Sequence, residues 1–167
     1  TLLRPIQNMP EAEKCFEFQK KEKGQGYKSK EFFNKRYFEH PVYQYQVYGV
    51  QNAEKQAYSG ILVGREIEIN QRKILRLVDY IGNLTYIGNL GTALHQLMDE
   101  NSYEYIDMMV GTLPKELMSQ AGFSLRELED TNVIPTYFEP FVQQNVNIWY
   151  QKSDPDIVIF KADGDQD

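Results

Sequence analysis

The sequence predicts a mixed fold of the α/β class in its α+β form: a mainly antiparallel central sheet flanked by helices. Three observations carry it. Segments between residues 42 and 82 read as three consecutive strands joined by short polar turns, the pattern of an antiparallel meander. A helical period then appears in "LGTALHQLMDENS", where Leu90, Leu94, Leu97 and Met98 fall on one face. "YEYIDMMVG" returns to strand with no tight hairpin behind it, so the fourth and fifth strands should lie parallel across a helical crossover.

The elements follow in order. "TLLRPI" is short, apolar and limited by Pro5, and reads as a first strand. Pro10 opens a helix over "PEAEKCFEFQKKEKG", with Ala12, Cys15 and Phe16 as a partial apolar face, ended by Gly24 and Gly26. Ser29 is placed to cap a second helix, "KEFFNKRYFEH", which Pro41 stops. "VYQYQVYGV", "AYSGILVGREIEIN" and "ILRLVDYIG" form the meander, with turns at "QNAEKQ" and "QRK". Gly60 and Gly64 mark close-approach or bulge points. After the crossover, Pro114 begins a short helix, "LPKELMSQAGF", and Gly122 ends it. "FSLRELE" and "VNIWYQKS" read as the last two strands, separated by the aromatic-rich loop "TNVIPTYFEPFVQQN".

With 167 residues and no linker or repeat, one domain over 1–160 is expected, followed by an acidic tail, 161–167, expected to fray. The formal net charge of -6 argues against a broad nucleic-acid-binding face. No apolar run is long enough to span a membrane, and "TLLRPIQNMPEAEK" lacks the apolar centre of a signal peptide. The lone Cys15 excludes an internal disulfide, and a cytoplasmic location is the expectation. One Cys and two separated His give no zinc-site spacing, and His40 and His95 both read as exposed. No metal ligand set is therefore expected.

The element order, with "GNLGTAL" opening the central helix and "ELMSQAGF" after the fifth strand, resembles the GNAT acyltransferase superfamily. Gly91, Thr92, Ala93 and Leu94 match the end of that family's acyl-CoA loop and the start of its helix, and Gly122 with Phe123 match its Gly-Phe pair. Tyr86 stands where the family carries Gln or Arg, Asn89 where it carries Gly, and Met118 where it carries Tyr. The phrases "KRYFEHPVYQYQVYGV" and "VDYIG" also resemble acyltransferase-like proteins of bacterial surface-polysaccharide pathways.

The resemblance implies acetyl-CoA or another acyl-CoA as cofactor and a small amine as substrate, an amino sugar being one such. It places the cofactor against Tyr80, Ile81, Ile87, Gly88, Asn89, Leu90, Gly91 and Thr92, because free amides at a helix N-terminus attract a pyrophosphate. A plain helix cap is the competing reading of the same residues. Acyl transfer to an amine also needs a base and an oxyanion donor. Amides around Asp79, Tyr80 and Ile81 are the donor candidates. Asp79 and Asp107 are the carboxylates on central strands, where a charge is expensive unless paired, and the site is expected where the fourth and fifth strands splay. A hydrogen-bonded structural role is the alternative for each. Tyr137 in the late loop, or Tyr86, could stand in for the missing acid. Against an N-acyltransferase stands an inactive GNAT-like binding or assembly module, which the three departures favour. Aminoacyl transfer from a charged tRNA is a third reading that the negative charge disfavours. A homodimer is a further expectation.

Overall fold

The computed structural model describes residues 1–19, 22–134 and 144–164. A five-stranded sheet runs in the order β1 (Leu2–Pro5), β2 (Gln46–Gln51), β3 (Tyr58–Ile69), β4 (Arg72–Gly82) and β5 (Tyr103–Met108). The first three pairings are antiparallel and the β4–β5 pairing is parallel, as the missing hairpin predicts. α3 (Gly91–Asn101) makes the crossover between β4 and β5. Helices cover both faces of the sheet. On one face α3 sends Leu94 and Leu97 against Leu62, Leu75, Leu77 and Tyr80. On the other, Met9 and Ala12 of α1 (Met9–Cys15) and Phe33 of α2 (Lys30–Phe33) pack with Val47, Ile61, Val63, Val78 and Ile81.

Local chemistry explains most boundaries. The Asn8 side chain accepts from the Glu11 amide at the start of α1, and the Ser29 hydroxyl accepts from the Phe32 amide at the start of α2. The β3–β4 hairpin turns on Asn70 and Gln71 alone, both at positive φ, so Arg72 and Lys73 belong to the strand and not to a "QRK" turn. α2 widens into a π turn over Asn34–Phe38, which carries Tyr37 down into the core.

One irregularity governs the site. Val63 faces Asp79 and Gly64 faces Leu77, so Val78 is an extra residue in β4. This bulge puts Val78 on the α1/α2 side and Tyr80 on the α3 side. Past Leu77 and Met108, β5 leaves the ladder. Val110–Gly111 (β6) instead pairs with Ile159–Phe160 (β7) in a separate two-stranded sheet.

The structure corrects three expectations. α1 ends at Cys15, because Phe16 is extended and Phe18 tucks under Phe33 with ring centroids 5.0 Å apart. The segments read as the last two strands form none. The Asn145 carboxamide clasps the first of them, donating to the carbonyls of Glu127, Asp130 and Asn132 and accepting from the Ile134 amide. The Lys152 ammonium ties the second to Thr112 and to the carbonyls of Pro155 and Ile157. The start of the expected tail is packed: Lys161–Asp163 is a 3-10 turn with Lys161 and Ala162 buried. α4 (Lys115–Gln120) follows the predicted helix, with Gly122 after it at φ +86°.

Candidate ligand-binding site

The two candidate carboxylates lie apart in function. Asp107 on β5 forms a bidentate pair with Arg76 on β4, at 2.6–3.1 Å, and both side chains are buried. A guanidinium fork matched to a carboxylate is stable away from water and here rivets the parallel strands together. Asp79 is fully buried farther along β4, on the same face of the sheet. Its oxygens accept from the Lys28 ammonium, from the Tyr37 hydroxyl at 2.5 Å and from the Tyr80 amide at 2.9 Å. Lys28 also reaches Asp163 at 3.0 Å. Burial opposes the Lys28 charge, but attraction to Asp79 and Asp163 outweighs it and raises its pKa. Neither carboxylate therefore has a free oxygen poised toward open space, and both fit the structural alternative. Tyr137 lies outside the described residues.

The residues expected to hold a pyrophosphate form no open loop. Leu84–Asn89 is a 3-10 turn running into α3. Ile87, Gly88 and Leu90 are buried, while Asn89 and Thr92 are exposed. The Tyr86 and Leu90 amides donate to the carbonyls of Asn83 and Ile87. α4 and the turn after it lie against this corner. A Cβ built on Gly88 would stand 2.6 Å from Gln120 Oε1, and one on Gly91 would stand 3.2 Å from the Ala121 carbonyl oxygen. An acceptor oxygen and apolar packing occupy the approach that an anion would need. In this arrangement the residues do not fit an acyl-CoA pyrophosphate.

The proposed oxyanion donors are engaged as well. Besides the Tyr80 amide on Asp79, the Gly82 amide donates to Gln25 Oε1 at 3.1 Å, and Gln25 Nε2 donates to the Tyr80 carbonyl at 3.3 Å. Tyr80 and Ile81 are buried. Burial pushes the Tyr80 phenol well above its ordinary value, so it stays protonated and donates to the carbonyls of Ser59 and Asn83.

Open space lies at the carboxyl end of β4, on the α1 side. A cleft of about 830 Å³ is bounded by Cys15, Phe16, Glu17 and residues 22–24 on one flank and by Tyr58, Ser59 and residues 82–86 on the other. Tyr58 is 37% exposed and Tyr86 is half-buried, so the cleft offers aromatic rings beside the Glu17 carboxylate and the Asn83 and Thr85 side chains. Burial raises the Cys15 thiol pKa, and its hydrogen bond with Tyr58 only partly offsets this. The thiol is protonated near neutral pH and is no ready nucleophile.

Sequence reasoning missed Gln25, Lys28 and Tyr37, and it missed the cleft. A buried strand carboxylate calls for a cation, yet Lys28 lies 51 residues from Asp79 and no local pattern points to it. His95 is exposed as expected, whereas His40 is half-buried, stacks on Tyr43 and accepts from the Val42 and Tyr43 amides. Among the described residues no cluster of His, Cys, Asp and Glu could hold a metal ion, and no helix is long and apolar enough to cross a membrane. The sequence matches no family model and no curated protein.

Proposed function

We propose that this chain is a GNAT-like binding module that takes a small hydroxylated amine, of the amino-sugar class, in the cleft at the end of β4, and does not itself transfer acyl groups. The observation that carries this reading is the commitment of β4. The amides of Tyr80 and Gly82 are both bonded, and Asp79 and Asp107 are both neutralised by buried cations. An oxyanion hole needs donors left free for charge that develops later. The cleft falls within the roughly 300–1,000 Å³ usual for small-ligand sites. Tyr58 and Tyr86 supply faces for a sugar ring, and Glu17 supplies a partner for an ammonium.

The test is a thermal-shift titration of the whole chain. Glucosamine should raise the melting temperature, and Tyr58→Ala should abolish the rise. Acetyl-CoA at millimolar concentration should cause no shift, and acetyl-CoA with glucosamine should release no free CoA thiol. Thiol release would replace this reading with a second one, an acyl-CoA-dependent N-acyltransferase acting on a small amine. That reading is favoured by the Val78 bulge and by the parting of β4 from β5 after Leu77 and Met108.

A further inference from the structure

Tyr58 forms one wall of the cleft, and what backs its ring is a residue with no side chain. Gly49 is buried on β2, and alternation along that strand sets its side. Val47 packs toward α1 and Tyr48 and Val50 face α3, so position 49 faces α1 as Val47 does. A Cβ built on Gly49 would stand 2.7 Å from Tyr58 Cε1, 3.1 Å from Tyr58 Cδ1 and 2.8 Å from Cys15 Sγ. The ring therefore lies against bare β2 backbone, with the Cys15 thiol beside it and joined to it by a hydrogen bond. An aromatic side chain laid across a glycine of the neighbouring strand covers backbone that the glycine would leave open.

The other crowded glycines of the sheet serve different ends. A Cβ on Gly60 would collide with the Ile81 carbonyl oxygen, and one on Gly82 with that of Ser59, so both are bare to let the β3 and β4 backbones meet. Gly64 is closed over by Leu75 and Leu77 of the core. The atoms nearest Gly49 all belong to Tyr58 and Cys15, and both of these side chains line the cleft. A glycine inside a strand loses packing and often marks a close approach; here the group that approaches is a wall of the binding site. Carbon atoms in contact settle about 3.5–4.0 Å apart, so a methyl group at position 49 would push the ring about 1 Å off β2. The strand stands on one side of the ring, and the open side is the cleft.

We propose that Gly49 is a positioning residue for the binding wall: its bare backbone seats the Tyr58 ring back against β2 and keeps the cleft wide enough for a sugar ring to stack there. The inference deepens the binding-module reading and rests on it, since Tyr58 is a face offered to the sugar. The experiment labels Cys15, the chain's lone cysteine, with dithiobis(nitrobenzoate) on the full chain at fixed pH, with glucosamine as the probe. In the wild type, glucosamine should slow labelling to saturation and so report its Kd. Gly49→Ala should raise that Kd about tenfold. Its ligand-free melting temperature should stay within about 3 °C of the wild type, because the group that must yield is a partly exposed side chain. A residue that merely stabilised the fold would show the opposite split. Gly49→Ala combined with Tyr58→Ala lacks the ring that the methyl group meets, and should melt no lower than Tyr58→Ala alone. This pair keeps the seating testable if the single variant does not fold. A double variant that melts well below Tyr58→Ala would overturn the inference. Wild-type protection with an unchanged Kd in Gly49→Ala would overturn the inference alone. Glucosamine that leaves wild-type labelling unslowed overturns the amino-sugar reading, and this inference with it, so the two failures are told apart.

Discussion

The two halves of β4 bury an ion pair each, and the pairs do different work. In the first half, Arg76 meets Asp107 on the neighbouring strand, through a fork that joins two elements already paired by backbone. In the second, Asp79 meets Lys28 from a loop, with Tyr37 and Asp163 completing the cluster. The first pair strengthens a ladder that exists without it. The second fastens the loop that carries Gln25 over an edge with no strand. Similar chemistry yields local rigidity in one place and closure in the other.

Breaking the pairs separates these roles, and here the largest effects are expected. Asp79→Ala leaves Lys28 buried without its main partner, and Asp107→Ala does the same to Arg76. Each should cost about 3–5 kcal/mol in urea unfolding. Only Asp79→Ala should also hasten tryptic cleavage between residues 22 and 30 when the two variants are compared at matched stability. Equal cleavage would mean the Lys28 cluster is not what holds the loop.

Next comes the glycine that ends the second half, set against one in the loop that carries Gln25. Gly82 sits at φ +128°, and a Cβ there would lie 2.3 Å from the Ser59 carbonyl oxygen. Gly82→Ala should cost about 1–3 kcal/mol for the conformation alone, with the clash added. Gly26→Ala, where a Cβ meets nothing within 4 Å, should stay within about 0.5 kcal/mol. Comparable losses at both sites in thermal melts would contradict the tight β3–β4 contact.

A pH scan gives a smaller effect. The Lys28 pKa is raised in the folded state by its two carboxylates despite burial, and burial raises those of Tyr80 and Tyr103. In each case the folded chain holds its proton more tightly than the unfolded chain. Their contribution is complete below the ordinary lysine and tyrosine values and is lost as pH rises beyond about 10. The melting temperature should therefore fall steeply above about pH 10, and Tyr80→Phe should flatten that limb. The smallest effect belongs to Trp149, 89% exposed, whose change to Ser should move stability by no more than about 0.5 kcal/mol.

What the sequence made legible was periodic or glycine-marked. The meander, the parallel pair, the Ser29 cap and the close approach at Gly60 all follow from local pattern. The missed features are contacts that replace backbone by side chain. "VNIWYQKS" has strand composition, but the Lys152 ammonium supplies its fastening and no ladder does. Gln25 acts as a strand residue while sitting in a loop between two glycines. At the site, Asp79 and Asp107 were found as unusual charges, but the cations that make them structural were not. Lys28 and Arg76 are 51 and 31 residues away from them, beyond any helical or strand period.

The extra residue at Val78 sets the parity of everything after it in β4. Before the bulge the odd-numbered positions Leu75 and Leu77 face α3, and after it the even-numbered Tyr80 does. Deleting Val78 would restore a single alternation through the strand. Asp79 would then follow Leu77 directly, still opposite Val63, and would keep its side toward Lys28 while Tyr80 keeps its side toward α3. A deletion scan should thus tolerate position 78, like the exposed turn at residues 53–55, more readily than a position in the regular run of β3, where losing one residue turns every side chain beyond it to the other face.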